Sequence, residues 1–295
     1  MSGSARDPPR PLADIAAERS VFTPPAERFR MEDEPIENIS GGDSGGSTAA
    51  DFDRARSGTR AEAVVDRLGG MYWQKRYGGR DGFECLVRTI LSQNTSDVAS
   101  QPAHDALMER YGGDLAANLA DAAQPELAET ISSAGLYNQK SERIIAIAER
   151  VREEYGDASG FDRFVREEPP SEVRETLLEM NGVGPKTADC VLLFAGGRGG
   201  VFPVDTHVHR IARRLGLAPA DADHEAVRAA LEAAVPEGKC GFGHTAMIQF
   251  GREYCTARTP ACLEGPEVCP LYDLCDRVGI DEVDESVVDP EESTS

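Results

Sequence analysis

One lysine of this chain lies at a position where its side-chain amine could be reactive. Lys186 follows Pro185 and the segment Gly182–Gly184, which predicts a tight turn with two glycines able to take positive φ, and then a helix. The free N–H groups of such a helix start can hold a phosphate. Its positive end disfavours the charged form of an ammonium group, and a neutral amine is a nucleophile. The alternative is a helical hairpin whose lysine is only solvated.

A carboxylate and two histidines follow this hairpin. Asp205 precedes a helical segment and is predicted to cap that helix with its side chain. A carboxylate fixed in this way can also orient another group. His207 and His209 have no metal-ligand partners at a suitable spacing, so we interpret both as structural.

Four of the seven cysteines lie within 21 residues, separated by six, six and five residues. Zinc sites usually contain closely spaced cysteine pairs, and no such pair occurs here. Four thiolates on wide loops suit a [4Fe–4S] cluster better, because the cluster is larger than one ion, with zinc and unligated cysteines as alternatives. Arg258 in the first loop could present its charge to a phosphate or be exposed without a role. The predicted ligands are Cys255, Cys262, Cys269 and Cys275.

The chain of 295 residues is strongly acidic, with a net charge of −21, a pI near 4.6 and only four lysines. This composition predicts a halophilic source, where high salt screens the self-repulsion. It does not exclude nucleic-acid binding, because local patches decide docking. No apolar run reaches the ~18 residues of a membrane span, and the N-terminus lacks the apolar core of a signal peptide. We therefore expect a cytoplasmic protein without disulfides.

Helical periodicity dominates from Thr59 onward, and the only strand candidate is the brief stretch Val201–Val204, so we predict an all-α fold. Ser171 is the expected cap of the helix before the hairpin, and Asp81 of an earlier one. Residues 1–58 and the acidic residues 276–295 are predicted to be disordered tails. The other predicted helices span about 97–111, 115–122, 126–133, 138–155, 225–234 and 244–252.

Three motifs in this order resemble the endonuclease III family of DNA glycosylases: NGVGPKTA at 181–188, VDTH at 204–207 and the cysteine loop. The segments FECLVRTILSQNTSD and GLYNQKSERI are also similar to that family, so the resemblance covers roughly residues 59–275. It implies a six-helix domain over 81–199 that contains a helix–hairpin–helix at 171–196. It also implies a second domain, built from 59–80 and 200–275, that carries the iron–sulfur loop.

The resemblance also implies roles for individual residues. Lys186 matches the family's nucleophile and Asp205 its catalytic aspartate, whereas Gly182, Val183 and Gly184 would contact a DNA phosphate through their backbone. The glutamine that fills the hole left by a flipped base falls on Asn94, with Gln93 beside it, and either could fill this role. Two departures stand out. The middle gap between cysteines has six residues where the family has two, and Met-Asn precedes the hairpin where Leu-Pro is usual.

The implied activity is that of a DNA glycosylase and AP lyase acting on oxidised pyrimidines. The implied cofactor is a [4Fe–4S] cluster, and the implied partner is double-stranded DNA with damaged bases or abasic sites, bound by a monomer. One alternative is a mismatch-directed glycosylase, although such relatives typically have another residue at the position of Lys186. The other is a non-catalytic DNA-binding or redox-sensing module, which would need neither Lys186 nor Asp205.

Overall fold

The chain folds almost entirely into α-helices. The computed structural model describes residues 52, 53, 55–72 and 78–288. These residues form twelve α-helices and one pair of two-residue strands, so the all-α prediction is confirmed. Within this part of the chain no helix is long and apolar enough to cross a membrane. In chain order the elements are α1 (Arg60–Gly69), α2 (Gly82–Ser92), α3 (Asp97–Tyr111), α4 (Leu115–Ala120), α5 (Gln124–Thr130), α6 (Tyr137–Tyr155), α7 (Ala158–Glu167), α8 (Pro170–Leu178), α9 (Pro185–Phe194), α10 (Thr206–Leu215), α11 (His224–Ala234), α12 (Glu237–Glu253), β1 (Ile280–Asp281) and β2 (Ser286–Val287).

Polar side chains fix the starts of several helices. Asp81 accepts hydrogen bonds from two backbone N–H groups of the first turn of α2, as predicted. Asp157 caps α7 in the same way, and this helix was missing from the sequence-based prediction. The expected cap Ser171 is wrong, because α8 begins one residue earlier, at Pro170, and Ser171 lies inside it. The fixed φ of proline suits the first turn, where its missing N–H is not needed.

Helices α2 to α9 occupy residues 81–199. Six of them have nine or more residues, and α4 and α5, with six and seven residues, are short additions to the expected six. Helix α2 contacts α3, α6, α7 and α9. Its apolar residues, among them Phe83, Leu86 and Ile90, are fully buried. The helix that ends beside the hairpin therefore lies at the centre of the core.

A buried ion network joins the hairpin helices to α11. The Asp189 side chain on α9 is 1% exposed and accepts a hydrogen bond of 2.7 Å from Arg174 on α8. Arg174 also bonds Glu225 on α11 at 2.7 Å. Arg228, one turn further along α11, lies 3.9 Å from the second oxygen of Asp189 and pairs with Glu232 at 2.8 Å. The three helices are thus held together by charges as well as by apolar contacts.

Helix α1 lies against the C-terminal helices α11 and α12 rather than against its neighbours in the sequence. The Lys239 ammonium on α12 bonds Glu62 at 2.7 Å and the buried Asp66 at 2.6 Å, both on α1. This contact is what a second domain built from two separate segments requires. The division into two domains itself stays a prediction.

The structure differs from the sequence-based prediction at the expected strand and at the tails. Val201–Val204 is a buried connection and forms no strand, and the Phe202 N–H bonds the Glu232 carboxylate at 3.0 Å. Its apolar character reflects burial and not sheet formation. Residues 276–288 are ordered through a 2.7 Å ion pair of Asp276 with Arg60 and the β1–β2 pairing. Most of the predicted N-terminal tail, and residues 289–295, lie outside the described residues.

Candidate functional site

An open pocket of about 540 Å³ lies between the hairpin, the end of α2 and the start of α10. Lys186 and Asp205 both line it, together with Gln93 and Asn94. These four residues come from three separate segments of the chain. The fold therefore brings the predicted nucleophile and the predicted carboxylate into one site. Both candidates for the residue that fills the space left by a flipped base lie in the same site.

The hairpin glycines have different reasons for being glycine. Gly182 has a φ of +88°, and a Cβ at this position would collide with the Arg143 side chain. Gly184 has a φ of −97°, so only Gly182 of the two uses the left-handed region that both can adopt. It faces the pocket, with no atom within 4 Å of where its Cβ would lie. A small residue here leaves room for a ligand to reach the N–H groups at the start of α9.

Val183 helps to fix the conformation of the hairpin. Its side chain is 6% exposed and packs into the core. Its N–H donates to the Met180 carbonyl at 3.0 Å, so this amide is already used within the turn. A backbone contact of Val183 to a phosphate therefore stays a prediction, and this N–H would have to be shared with the Met180 carbonyl.

Lys186 and Asp205 are both placed by helix starts. Lys186 is the second residue of α9, follows Pro185 and is half-buried. Asp205 caps α10 as predicted, since its Oδ1 accepts the N–H groups of His207 at 2.9 Å and Val208 at 2.8 Å. These two bonds fix the carboxylate at the pocket wall. Capping and an active-site role are thus compatible in one residue.

The buried His244 lies close enough to Lys186 and Asp205 for both of their charges to affect its pKa. Burial and, to a smaller extent, the positive charge of Lys186 lower the pKa of His244 to about 4, although Asp205 acts in the opposite direction. The ring is therefore neutral at pH 7, and its Nδ1–H donates to the Pro203 carbonyl at 2.8 Å. The sequence offered no signal for this residue, because its position depends on α12 packing beneath the pocket.

Gln93 and Asn94 are adjacent, but they do different things. The Gln93 side-chain amide donates to the Gly182 carbonyl and to the Thr187 hydroxyl, both at 3.0 Å. It therefore fixes the hairpin to the end of α2. Asn94 is exposed and has a φ of +51°, in the left-handed region. Strain of this kind often marks functional positions, and of the two side chains Asn94 is the exposed one.

Lys140 was missed as a positioning residue. It is 1% exposed, and its ammonium donates to the carbonyls of Leu91 at 2.7 Å and Ala134 at 2.6 Å and to the Thr95 hydroxyl at 2.8 Å. Burial lowers the pKa of Lys140 to about 8. These bonds hold the loop that carries Asn94 against the start of α6. Its helical spacing gave no hint of this, because all three partners are distant in the sequence or on loops.

The four predicted cysteine ligands line a single cavity, and none of them forms a disulfide. Arg214 at the end of α10 binds the first loop through the carbonyls of Thr256 at 2.7 Å and Ala257 at 2.8 Å. Its guanidinium also lies 3.5 Å from the Cys255 Sγ. Arg258 is exposed on this loop, away from the pocket. In the described ranges no group of three or more His, Cys, Asp or Glu side chains is close enough to hold a single metal ion. Four thiols around one cavity are instead the donor set of an iron–sulfur cluster.

Two family models match the chain. The model of the HhH-GPD superfamily base excision DNA repair protein matches residues 87–237, about half of the chain. The model of the iron-sulfur binding domain of endonuclease III matches residues 255–275, from the first to the last of the four cysteines. The longer middle gap is therefore compatible with that domain. The cysteine loop binds a [4Fe–4S] cluster.

Replacing one ligand should remove this cluster. We expect Cys262→Ala to lose the broad visible absorption and the iron, which falls from about four atoms per chain towards zero, because three thiolates leave one iron without its ligand. Iron analysis and absorption spectra of the purified protein measure both. Cys240→Ala is the matched control, because Cys240 is buried in α12 outside the cavity, and it should keep the iron. A Cys262→Ala protein with full iron would contradict the assignment.

Relatives and solved structures agree with these matches. Endonuclease III of Thermotoga maritima is 35% identical over 196 residues, covering 66% of this chain and 83% of the relative. Endonuclease III of Bacillus subtilis is 31% identical over 219 residues, covering 72% and 90%. A trapped endonuclease III–DNA covalent intermediate matches with a TM-score of 0.60 at 29% identity, covering 72% of this chain and 92% of that chain. A thermostable thymine-DNA glycosylase, at 22% identity and a TM-score of 0.59, covering 73% and 98%, shares the fold. The chain therefore belongs to the endonuclease III family of base-excision repair enzymes, which are DNA glycosylases with AP lyase activity.

Proposed function

We propose that this enzyme binds double-stranded DNA as a monomer, excises oxidised pyrimidines and cuts the strand at the resulting abasic site, with Lys186 as the nucleophile. The observation that carries the proposal is the shared pocket of Lys186, Asp205 and Asn94. A base flipped out of the duplex needs such a pocket, because its sugar must reach a reactive group. One chain supplies the pocket and the cysteine loop, so a monomer suffices.

The reaction begins at C1′ of the damaged nucleoside. The neutral amine of Lys186 forms a bond to C1′, and the bond from C1′ to the base breaks, so that the base leaves with the electron pair and takes up a proton. The amine nitrogen loses a proton, its electron pair forms the C1′–N double bond as the C1′–O4′ bond breaks, and O4′ takes up a proton, which gives the Schiff base. Loss of a proton from C2′ expels the 3′ phosphate by β-elimination. Water finally hydrolyses the imine and frees the lysine.

Asp205 assists the first step from its fixed position at the start of α10. A carboxylate near the amine can take up the proton that the lysine loses, and its negative charge stabilises the positive charge that develops on the sugar. Because the two capping hydrogen bonds hold Oδ1, the carboxylate needs little reorganisation during the reaction.

The DNA backbone is held by groups around the pocket. The N–H groups at the start of α9 face an opening that Gly184 leaves clear, which suits a phosphate. Gly182 allows the turn, and Gln93 fixes it. Asn94 fills the space that the flipped nucleotide leaves in the duplex. Arg258, exposed on the cysteine loop, adds a contact to a more distant phosphate.

Asp205→Asn tests the role of the carboxylate without removing the cap. Asparagine caps helices as well as aspartate, so we expect an unchanged melting temperature. Base excision should fall by about 10²- to 10⁴-fold, because the proton acceptor and the negative charge are lost. Single-turnover cleavage of a duplex with one dihydrothymine measures the rate. Asp157→Asn makes the same change at the cap of α7, away from the pocket, and should keep full activity. Equal activity of the two variants would rule out the carboxylate role.

A panel of duplexes tests the class of substrate. We expect excision of oxidised pyrimidines and little excision of normal adenine or thymine from mismatches. The reverse pattern would favour the mismatch-directed alternative. Binding of abasic DNA without strand cleavage would favour a non-catalytic DNA-binding module.

A further inference from the structure

One residue of the pocket has no role in the reaction described above. His224 is the first residue of α11, and it lines the same pocket as Lys186 and Asp205. Its side chain is exposed, so a ligand in the pocket can reach it. Asp223 caps the helix by accepting the Ala226 N–H at 2.8 Å, which fixes the backbone at this point.

The His224 ring is held in place by a second histidine. It stacks on His209 with ring centroids 4.0 Å apart and planes 6° apart. The His209 Nε2 lies 2.8 Å from the Ala222 carbonyl, and since a carbonyl only accepts, this nitrogen carries the hydrogen. His209 lies on α10, and its backbone N–H donates to the Asp205 carbonyl at 2.9 Å. The stack therefore ties the His224 ring to the helix that Asp205 begins.

The neighbouring residue ties α11 to the helix of Lys186. Glu225 bonds Arg174 at 2.7 Å, and Arg174 bonds Asp189 on α9 at 2.7 Å. His224 is thus fixed relative to both Lys186 and Asp205, and it lines the pocket with them. A rigid polar ring beside a reaction centre is the arrangement that recognition of a substrate needs.

The charges around His224 favour a base over a phosphate as its partner. Glu225 is paired with Arg174 and adds little net charge, whereas the Asp223 carboxylate beside His224 opposes the approach of a phosphate. A nucleobase is neutral and carries carbonyl oxygens and N–H groups on its edge. A histidine edge offers a matching donor or acceptor.

We propose that His224 contacts the base flipped into the pocket through its ring nitrogens and so determines which damaged bases are excised efficiently. This inference rests on the proposed function. His209 covers one face of the His224 ring, and His224 also lines the pocket. His209 acts as a positioning residue for this contact.

The test compares two substrates that differ only in the base. One duplex carries a single dihydrothymine and the other an abasic site at the same position. We expect His224→Phe, which keeps the stack and loses the nitrogens, to slow base excision by about 10- to 100-fold, as for a lost hydrogen bond in a desolvated site. Strand cleavage at the abasic site should change less than about twofold, because there is no base to contact. His224→Ala should show the same pattern.

His104→Phe makes the same change at a histidine of α3 that does not line the pocket, and as the matched control it should leave the ratio of the two activities unchanged. Equal loss on both substrates for His224→Phe would overturn the proposal in favour of a structural or phosphate-binding role. Unchanged base excision would overturn it as well. If the wild-type enzyme neither excises the base nor forms a borohydride-trapped adduct, the proposed function itself is wrong, and this inference falls with it.

Discussion

Lys186→Gln should abolish borohydride trapping of the enzyme on DNA and lower strand cleavage at abasic sites by about 10⁴-fold or more. The amide nitrogen of glutamine is not a nucleophile, so no Schiff base forms for borohydride to reduce. Glutamine has a similar length and good helix propensity, and Lys186 is only half-buried, so the fold should be kept. Trapping is read as a protein–DNA adduct on a denaturing gel, and the modified residue is located by mass spectrometry.

The scarcity of lysine makes this experiment unusually clean. The chain has only three other lysines, and Lys140 and Lys239 are held by hydrogen bonds away from the pocket. Lys75→Gln is the matched control, which removes the same charge from the last of the four, and it should trap as the wild type does. An adduct that persists in Lys186→Gln would show that another amine is the nucleophile. Loss of trapping in Lys75→Gln alone would point to that residue.

Asp189→Ala should lower the free energy of unfolding by about 3–5 kcal/mol. The Asp189 side chain is 1% exposed and bonds Arg174 directly, so its removal takes from a largely buried guanidinium one of its two carboxylate partners. Arg228 loses an opposite charge as well. Because these residues join α8, α9 and α11, we also expect base excision to weaken. Urea unfolding at fixed salt, followed by circular dichroism, measures the change.

Two comparisons separate this effect from a general loss of ion pairs. Arg150→Ala removes exposed pairs with Glu154 and Glu179, both at 2.9 Å, and should cost less than about 1 kcal/mol. The double variant of Arg174→Met with Asp189→Leu should be more stable than Asp189→Leu alone, because no buried charge is left unpaired. If Asp189→Ala costs no more than Arg150→Ala, the network does not hold the helices together.

The parts of the site that depend on near neighbours could be predicted from the sequence. Asp205 caps the helix whose first residues follow it. Lys186 lies beside a turn whose positive φ at position 182 requires glycine. The spacing of the cysteines likewise restricts the metal group they can hold. In each case the relevant partners lie within a few positions along the chain, where propensity and capping rules apply directly.

The parts that depend on distant packing could not be predicted in this way. His224 reaches the pocket because α11 is stacked on α10 and bound to α8, and nothing around it in the sequence indicates this. Lys140 has the pattern of a surface residue, yet the last turn of α2 and the segment before α6 enclose its ammonium. Val201–Val204 has the composition of a strand but pairs with no strand in the part of the chain that the structure describes. Burial by itself selects apolar residues, whichever backbone shape they adopt.

Helix α10 connects the two chemical centres of the molecule. It begins at the Asp205 cap on the pocket and ends where Arg214 binds the cysteine loop, a distance of about 15 Å for its ten residues. An inserted residue would rotate one end against the other by about 100°, so the Asp205 carboxylate could not stay on the pocket wall while Arg214 kept its carbonyl partners on the cysteine loop. Natural variation in length should therefore be absent from this helix and confined to the loops at either end. The length of α10 therefore sets the spacing and orientation of the pocket relative to the cysteine loop. Evolution can change the residues at each end of the helix but not the number of residues between them.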